Sequence, residues 1–107
     1  MSDFSLHELA QIIDIRARTD DEKSYSRKLL GKGVEKCAKK FGEEAVELAI
    51  AAVTRDPAAI RAEAADVLYH LLVLLKAGDV SLSSVMDELG ARTAQSGLEE
   101  KASRPPD

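Results

Sequence analysis

Apolar residues recur along this chain at helical spacing and almost nowhere alternate. Leu6, Leu9, Ile12 and Ile13 fall three and four apart behind Ser5-Leu-His-Glu8, a serine with a glutamate three positions on. That pairing can satisfy two orphan backbone N–H groups, and it predicts a first helix from about Leu6 to Arg18. The polar run TDDEKS breaks the pattern. SYSRKLLGKG then reads as a short turn of helix closed by Gly31 and Gly33. A long helix is predicted from about Val34 to Thr54, rich in Ala, Glu, Lys and Leu, which lose little freedom on becoming helical. Asp56-Pro57 restarts the chain with an N-cap carboxylate followed by a proline whose fixed φ suits the first helical position. The next helix runs to about Ala77 and stops at Gly78. Ser81 opens a last one reaching about Ala94. The first five residues and 95–107, QSGLEEKASRPPD, have no amphipathic period and are expected to be irregular.

No segment alternates for long and β-branched residues are sparse, so the fold class is all-α. The 107 residues make one domain, spanning 1–107. The Asp56-Pro57 connection is short, which predicts an antiparallel hairpin of the two long helices. One carries Phe41, Ala45, Val46, Leu48, Ala49, Ile50 and Val53. The other carries Ala64, Ala65, Val67, Leu68, Leu71, Leu72, Val73 and Leu75. Helices this apolar around their circumference are normally buried on more than one side.

Against that background the acidic residues stand out. Glu43, Glu44 and Glu47 fall within a sector of roughly 100° on the first long helix, and Glu63 and Asp66, three apart, share a face of the second. If the hairpin brings the two stripes together, four or five carboxylates meet where repulsion and desolvation both oppose them. A hard divalent cation resolves that conflict with oxygen ligands. The expectation is a Mg²⁺ site that holds phosphates and offsets charge on a leaving pyrophosphate, with an unengaged carboxylate taking a proton from water. The plain reading is that E-x-x-E and E-x-x-D are solvated faces. The placement of both on consecutive apolar helices is what favours a metal.

Charge and composition narrow the partners. Net charge is −4 with no basic stripe, which argues against nucleic acid. An anionic ligand then needs a local cation, and Lys28, Lys32 and Lys40 are the candidate phosphate contacts, although lysines 36, 39 and 40 also sit well for pairing with glutamates along the helix. The single Cys37 allows no internal disulfide and no cysteine zinc site, and it reads as a packing residue. No apolar run is long enough to span a bilayer, and MSDFSLHELAQ lacks the features of a signal peptide, so the expected compartment is the cytoplasm. Gly31-Lys32-Gly33 lacks the frame of a phosphate loop. His70 continues the stripe of Glu63 and Asp66 and reads as a supporting histidine. A di-iron bundle wants Glu-x-x-His on two helices, and neither His70 nor His7, the only other histidine, fits that pattern.

The stretches SYSRKLLGKGVEKCAKKFGEEAVELAIAA, EAADVLYHLLVLL and RTAQSGLEEKASR resemble the phosphoribosyl-ATP pyrophosphohydrolase family, within the all-α nucleoside-triphosphate pyrophosphohydrolase (MazG-like) superfamily. The resemblance runs from about Phe4 to Arg104. The superfamily pattern of E-x-x-E followed by E-x-x-D matches Glu44, Glu47, Glu63 and Asp66, which the resemblance implies are Mg²⁺ ligands. It leaves Glu43 open, and Glu43, Glu44 and Glu47 are the candidate catalytic carboxylates. It implies hydrolysis of phosphoribosyl-ATP to phosphoribosyl-AMP and pyrophosphate, the second step of histidine biosynthesis. It also implies a homodimer whose helices complete one bundle, which suits the apolar excess noted above. The chain is too short for the fused cyclohydrolase that some members carry. Two other readings stay open: a housecleaning pyrophosphohydrolase acting on a non-standard nucleotide, and a helical dimerisation module without catalysis.

Overall fold

The computed structural model describes residues 3–19 and 24–94, and these form five α-helices. The helices are α1 (Leu6–Ala17), α2 (Tyr25–Gly31), α3 (Val34–Thr54), α4 (Pro57–Ala77) and α5 (Leu82–Thr93). No strand occurs among the described residues, so the all-α class holds. Of the irregular tails expected at 1–5 and 95–107, residues 3–5 are non-helical, and 1–2 and 95–107 lie outside the described residues.

The helix starts follow the capping chemistry of the sequence. Ser5 accepts the Glu8 N–H at 3.1 Å, Ser24 accepts that of Arg27 at 3.2 Å, Asp56 that of Ala58 at 3.1 Å and Ser81 that of Ser84 at 3.1 Å. Such caps satisfy donors that the first helical turn leaves free. Gly31 is the last residue of α2, whereas Gly33 takes the positive φ of 93° that lets the chain turn into α3. At the end of α4, Gly78 keeps φ −87° and Asp79 adopts the left-handed conformation, φ 58°.

α3 and α4 pack as the expected antiparallel hairpin, through a two-residue connection in which Arg55 is left-handed, φ 60°. α1 and α2 lie against α4, and α2 also touches α3. The core sits where these meet: Ile13, Leu29, Cys37, Leu72 and Val73 are buried together, with Leu6, Leu9 and Tyr69 packed around them. Truncating a buried isoleucine such as Ile13 to alanine costs about 2–5 kcal/mol, so the docking of α1 depends on it. Cys37 is a packing residue. Burial pushes its thiol pKa up, and the S–H donates to the Leu29 carbonyl at 3.4 Å.

The core is thin for the apolar content. Val46, Ile50 and Val53 of α3 are 59%, 61% and 82% exposed along one stripe. α5 buries no residue, although Leu82, Val85, Met86 and Leu89 share a face. The Cα radius of gyration is 16.1 Å, where a compact domain of about 100 residues has about 13 Å. No described helix is long and apolar enough to cross a membrane.

Candidate active site

The register of the hairpin sets the site. Glu44 and Asp66 lie equally far along the chain from Arg55, as do Glu47 and Glu63. In an antiparallel pair with a tight connection, such residues come level, so the four carboxylates form two tiers facing across the α3–α4 seam. One carboxylate oxygen each from Glu44, Glu63 and Asp66 lie within 4.8 Å of one another. Glu44 is buried and Glu63 half-buried, while Asp66 and Glu47 open to solvent.

The electrostatics register the crowding. Glu47 is pushed above the usual glutamate pKa, first by the negative charge of Glu44, then by its hydrogen bond with Glu44, by partial desolvation and by Glu63. Glu44 moves the other way, because Lys40, one turn earlier, donates to its carboxylate at 3.1 Å. The same contact raises Lys40. Lys40 thus supplies one positive charge to the cluster and does not reach all of it. The Oε2 of Glu63 is buried with no hydrogen-bond partner among the described residues. An unsatisfied buried polar atom costs about 1–3 kcal/mol, and more when charged, so a neutralising ligand is favoured at that spot.

A second group borders the first. A cleft of about 350 Å³ is lined by Lys28 and Lys32 from the α2 end, Lys36, Lys39 and Lys40 from α3, and by Tyr25. Lys40 therefore belongs to both groups. All three lysines expected to contact phosphate lie here, and Lys36 and Lys39 join them. Glu43 lines this cleft and is exposed, apart from the three-carboxylate set. Neither Lys36 nor Lys39 forms an ion pair of the kind the helix spacing suggested; among the described residues Lys40–Glu44 is the one such pair in this region.

Behind the carboxylates lies a buried polar layer. His70 is buried, with Nδ1 2.7 Å from the Asp66 carbonyl and Nε2 3.2 Å from the Tyr25 hydroxyl. Ser26, also buried, hydrogen-bonds the Tyr69 hydroxyl. His70 was legible as a neighbour of Asp66, one turn on. Tyr25, Ser26 and Tyr69 carry no local signal, because their meeting depends on how α2 docks on α4.

A larger cleft, about 690 Å³, lies between α1, the end of α4 and the start of α5 and is lined by Asp14, Lys76 and Ser81 among others. Glu44, Glu63 and Asp66 are the one group of three potential metal-ligating side chains among the described residues, and none of them lines it. The chemistry points to the smaller, charged region.

A model of the family described as phosphoribosyl-ATP pyrophosphohydrolase matches residues 6–93. The chain belongs to the phosphoribosyl-ATP pyrophosphohydrolase family. Among relatives, it is 62% identical over 104 residues to "Phosphoribosyl-ATP pyrophosphatase 1" of Bradyrhizobium diazoefficiens, covering 97% of this chain and 98% of that protein. It is 58% identical over 106 residues to the phosphoribosyl-ATP pyrophosphatase of Methylobacterium radiotolerans, covering 99% of each. It is 60% identical over 99 residues to that of Paracoccus denitrificans, covering 92% of each. The match to the phosphoribosyl-ATP pyrophosphohydrolase family spans every residue of the carboxylate cluster and the lysine cleft.

Proposed function

We propose that this protein is a Mg²⁺-dependent enzyme that hydrolyses phosphoribosyl-ATP to phosphoribosyl-AMP and pyrophosphate, the second step of histidine biosynthesis, in the cytoplasm. The observation that carries this reading is the convergence of Glu44, Glu63 and Asp66, with an unpartnered buried Glu63 oxygen, beside a cleft of five lysines. Carboxylate oxygens are the donors that a hard cation prefers, so the residues present fit Mg²⁺. Glu44, Glu63 and Asp66 would hold it, with Glu47 at their edge. When bound, Mg²⁺ supplies Lewis-acid neutralisation of phosphate charge.

The chain's own side chains do the rest. Lys28, Lys32 and Lys40, with Lys36 and Lys39, bind the phosphates and offset the charge that builds on the leaving pyrophosphate. Fixing the chain of phosphates against the carboxylates sets the α–β anhydride where water can reach it. A new P–O bond forms to the water oxygen as the anhydride P–O bond breaks, and the water loses a proton. Glu47, exposed at the edge of the cluster, is the carboxylate that solvent reaches, and it accepts that proton. Glu43, at the mouth of the lysine cleft, is the second carboxylate near that path.

A second copy of the chain completes the bundle in this reading. The stripe Val46, Ile50 and Val53 and the apolar face of α5 are the surfaces it covers, and the large radius of gyration supports the same view.

The test is pyrophosphate release from phosphoribosyl-ATP with and without Mg²⁺, beside a panel of free nucleoside triphosphates. The expected result is Mg²⁺-dependent release from phosphoribosyl-ATP and little from the panel. Faster release from the panel would favour a housecleaning role. No release from any nucleotide would favour a non-catalytic module.

A further inference from the structure

Both tyrosines of this chain stand at one spot, together with the buried histidine. The ring centroids of Tyr25 and Tyr69 are 6.0 Å apart, and His70 lies edge-on to each, 6.0 Å from Tyr25 and 5.1 Å from Tyr69. Both nitrogens of His70 are engaged. A carbonyl can only accept, so the Nδ1 atom facing the Asp66 carbonyl carries the proton. In the neutral ring Nε2 is then an acceptor, and the Tyr25 O–H donates to it. The imidazole is thus suspended between the backbone of a cation-site residue on α4 and a side chain on α2.

Tyr25 faces two ways. Half of it is exposed and lines the lysine cleft, while its hydroxyl reaches back to His70. The helix that carries it, α2, has seven residues and buries only Ser26 and Leu29. A helix so short has little stability of its own. Its position, and with it that of Lys28 and Lys32, depends on side-chain anchors. At its far end the Leu29 carbonyl accepts from Cys37. At its near end the anchors are Tyr25 to His70 and Ser26 to Tyr69.

We propose that Tyr25 and His70 are a positioning pair that holds the lysine-bearing helix α2 at a fixed separation from the carboxylates of the α3–α4 hairpin. This rests on the hydrolase reading above. Each half of the site can bind its own charge without the strut: the carboxylates a cation, the lysines a phosphate chain. The strut matters when both act on one bound molecule, because displacement of a reacting group by about 1 Å costs up to about 10²-fold in rate.

Tyr25→Phe keeps the ring and removes only the hydroxyl. Expected is a fall in kcat of about tenfold, the scale of a partial misplacement, with inorganic pyrophosphate affinity held within about twofold. Amide hydrogen exchange in α2 is expected to quicken while that of α3 and α4 does not, a readout that needs no turnover. The double variant Tyr25→Phe/His70→Gln should lose no more activity than the worse single variant, since both remove one strut. Unchanged kcat with unchanged α2 exchange overturns the proposal. So does a loss of pyrophosphate affinity as large as the loss of kcat, or losses that multiply in the double variant. Wild-type protein measured alongside separates the two claims: absent wild-type hydrolysis removes the reaction, whereas the exchange arm still tests the strut.

Discussion

α2 and α5 make an instructive pair. α2 is the shorter, seven residues against twelve, yet it is the better anchored. It buries Ser26 and Leu29 and is fixed by contacts from Tyr69, His70 and Cys37. α5 has a good N-cap and an ion pair between Arg92 and Glu88, but buries nothing. In the proposed function the two helices have different tasks. α2 carries two lysines of the cleft, Lys28 within it and Lys32 at its end, whose distance from the carboxylates the proposed reaction depends on. α5 presents an apolar face that, among the described residues, packs on the core at Leu82 and leaves Met86 and Leu89 exposed. Local capping makes a helix, and tertiary contacts decide whether it is held.

Variants can break each side of the comparison. The largest effect is expected at the carboxylates. Glu63→Gln or Asp66→Asn should lower kcat on the order of a thousandfold, equivalent to about 4 kcal/mol of transition-state stabilisation, with the far-ultraviolet circular dichroism unchanged. A variant at either position with normal pyrophosphate release would remove the cation site.

Next comes the uncovered surface. Ile50→Lys places a charge in the exposed stripe of α3. Sedimentation at matched concentration should show wild-type dimers and variant monomers. A wild-type monomer would contradict the assembly. A smaller effect is expected from single lysines. Lys28→Ala or Lys32→Ala should raise KM about threefold to tenfold, with the difference shrinking at high salt, as for exposed charges.

The smallest effect is one of stability, and its sign is fixed by Glu47. Its folded pKa lies above the ordinary 4.5, so its contribution is present below that value and lost as pH rises through the raised one. Glu44, lowered by Lys40, contributes above 4.5 and loses that contribution as pH falls through its depressed value. The metal-free protein should therefore lose thermal stability as pH rises from 4.5 through the raised Glu47 value. Glu47→Gln should flatten that limb and raise Tm at neutral pH by a degree or so, on the order of a small surface-charge effect. A Tm that falls in the variant would mean that Glu47 is not under repulsion.

Much of this was legible in the sequence, and the reasons are local. Ser5, Asp56 and Ser81 marked helix starts because a cap needs only its own first turn. The carboxylates were legible because a short turn fixes hairpin register, and equal spacing from Arg55 brings Glu44 level with Asp66 and Glu47 level with Glu63. Glu43 shared their helical sector, yet it opens on the lysine cleft, since one step along a helix rotates a side chain by about 100°. The Tyr25–His70 contact joins residues 45 apart in sequence and left no periodic trace. Lys36 and Lys39 looked like partners for nearby glutamates because spacing alone does not say which way a flexible side chain turns.

The most direct measurement is anomalous diffraction from crystals grown with Mn²⁺ and pyrophosphate. The account predicts a manganese peak coordinated by carboxylate oxygens of Glu44, Glu63 and Asp66, with pyrophosphate reaching toward Lys28 and Lys32. Manganese bound elsewhere, with those carboxylates unliganded, would contradict it.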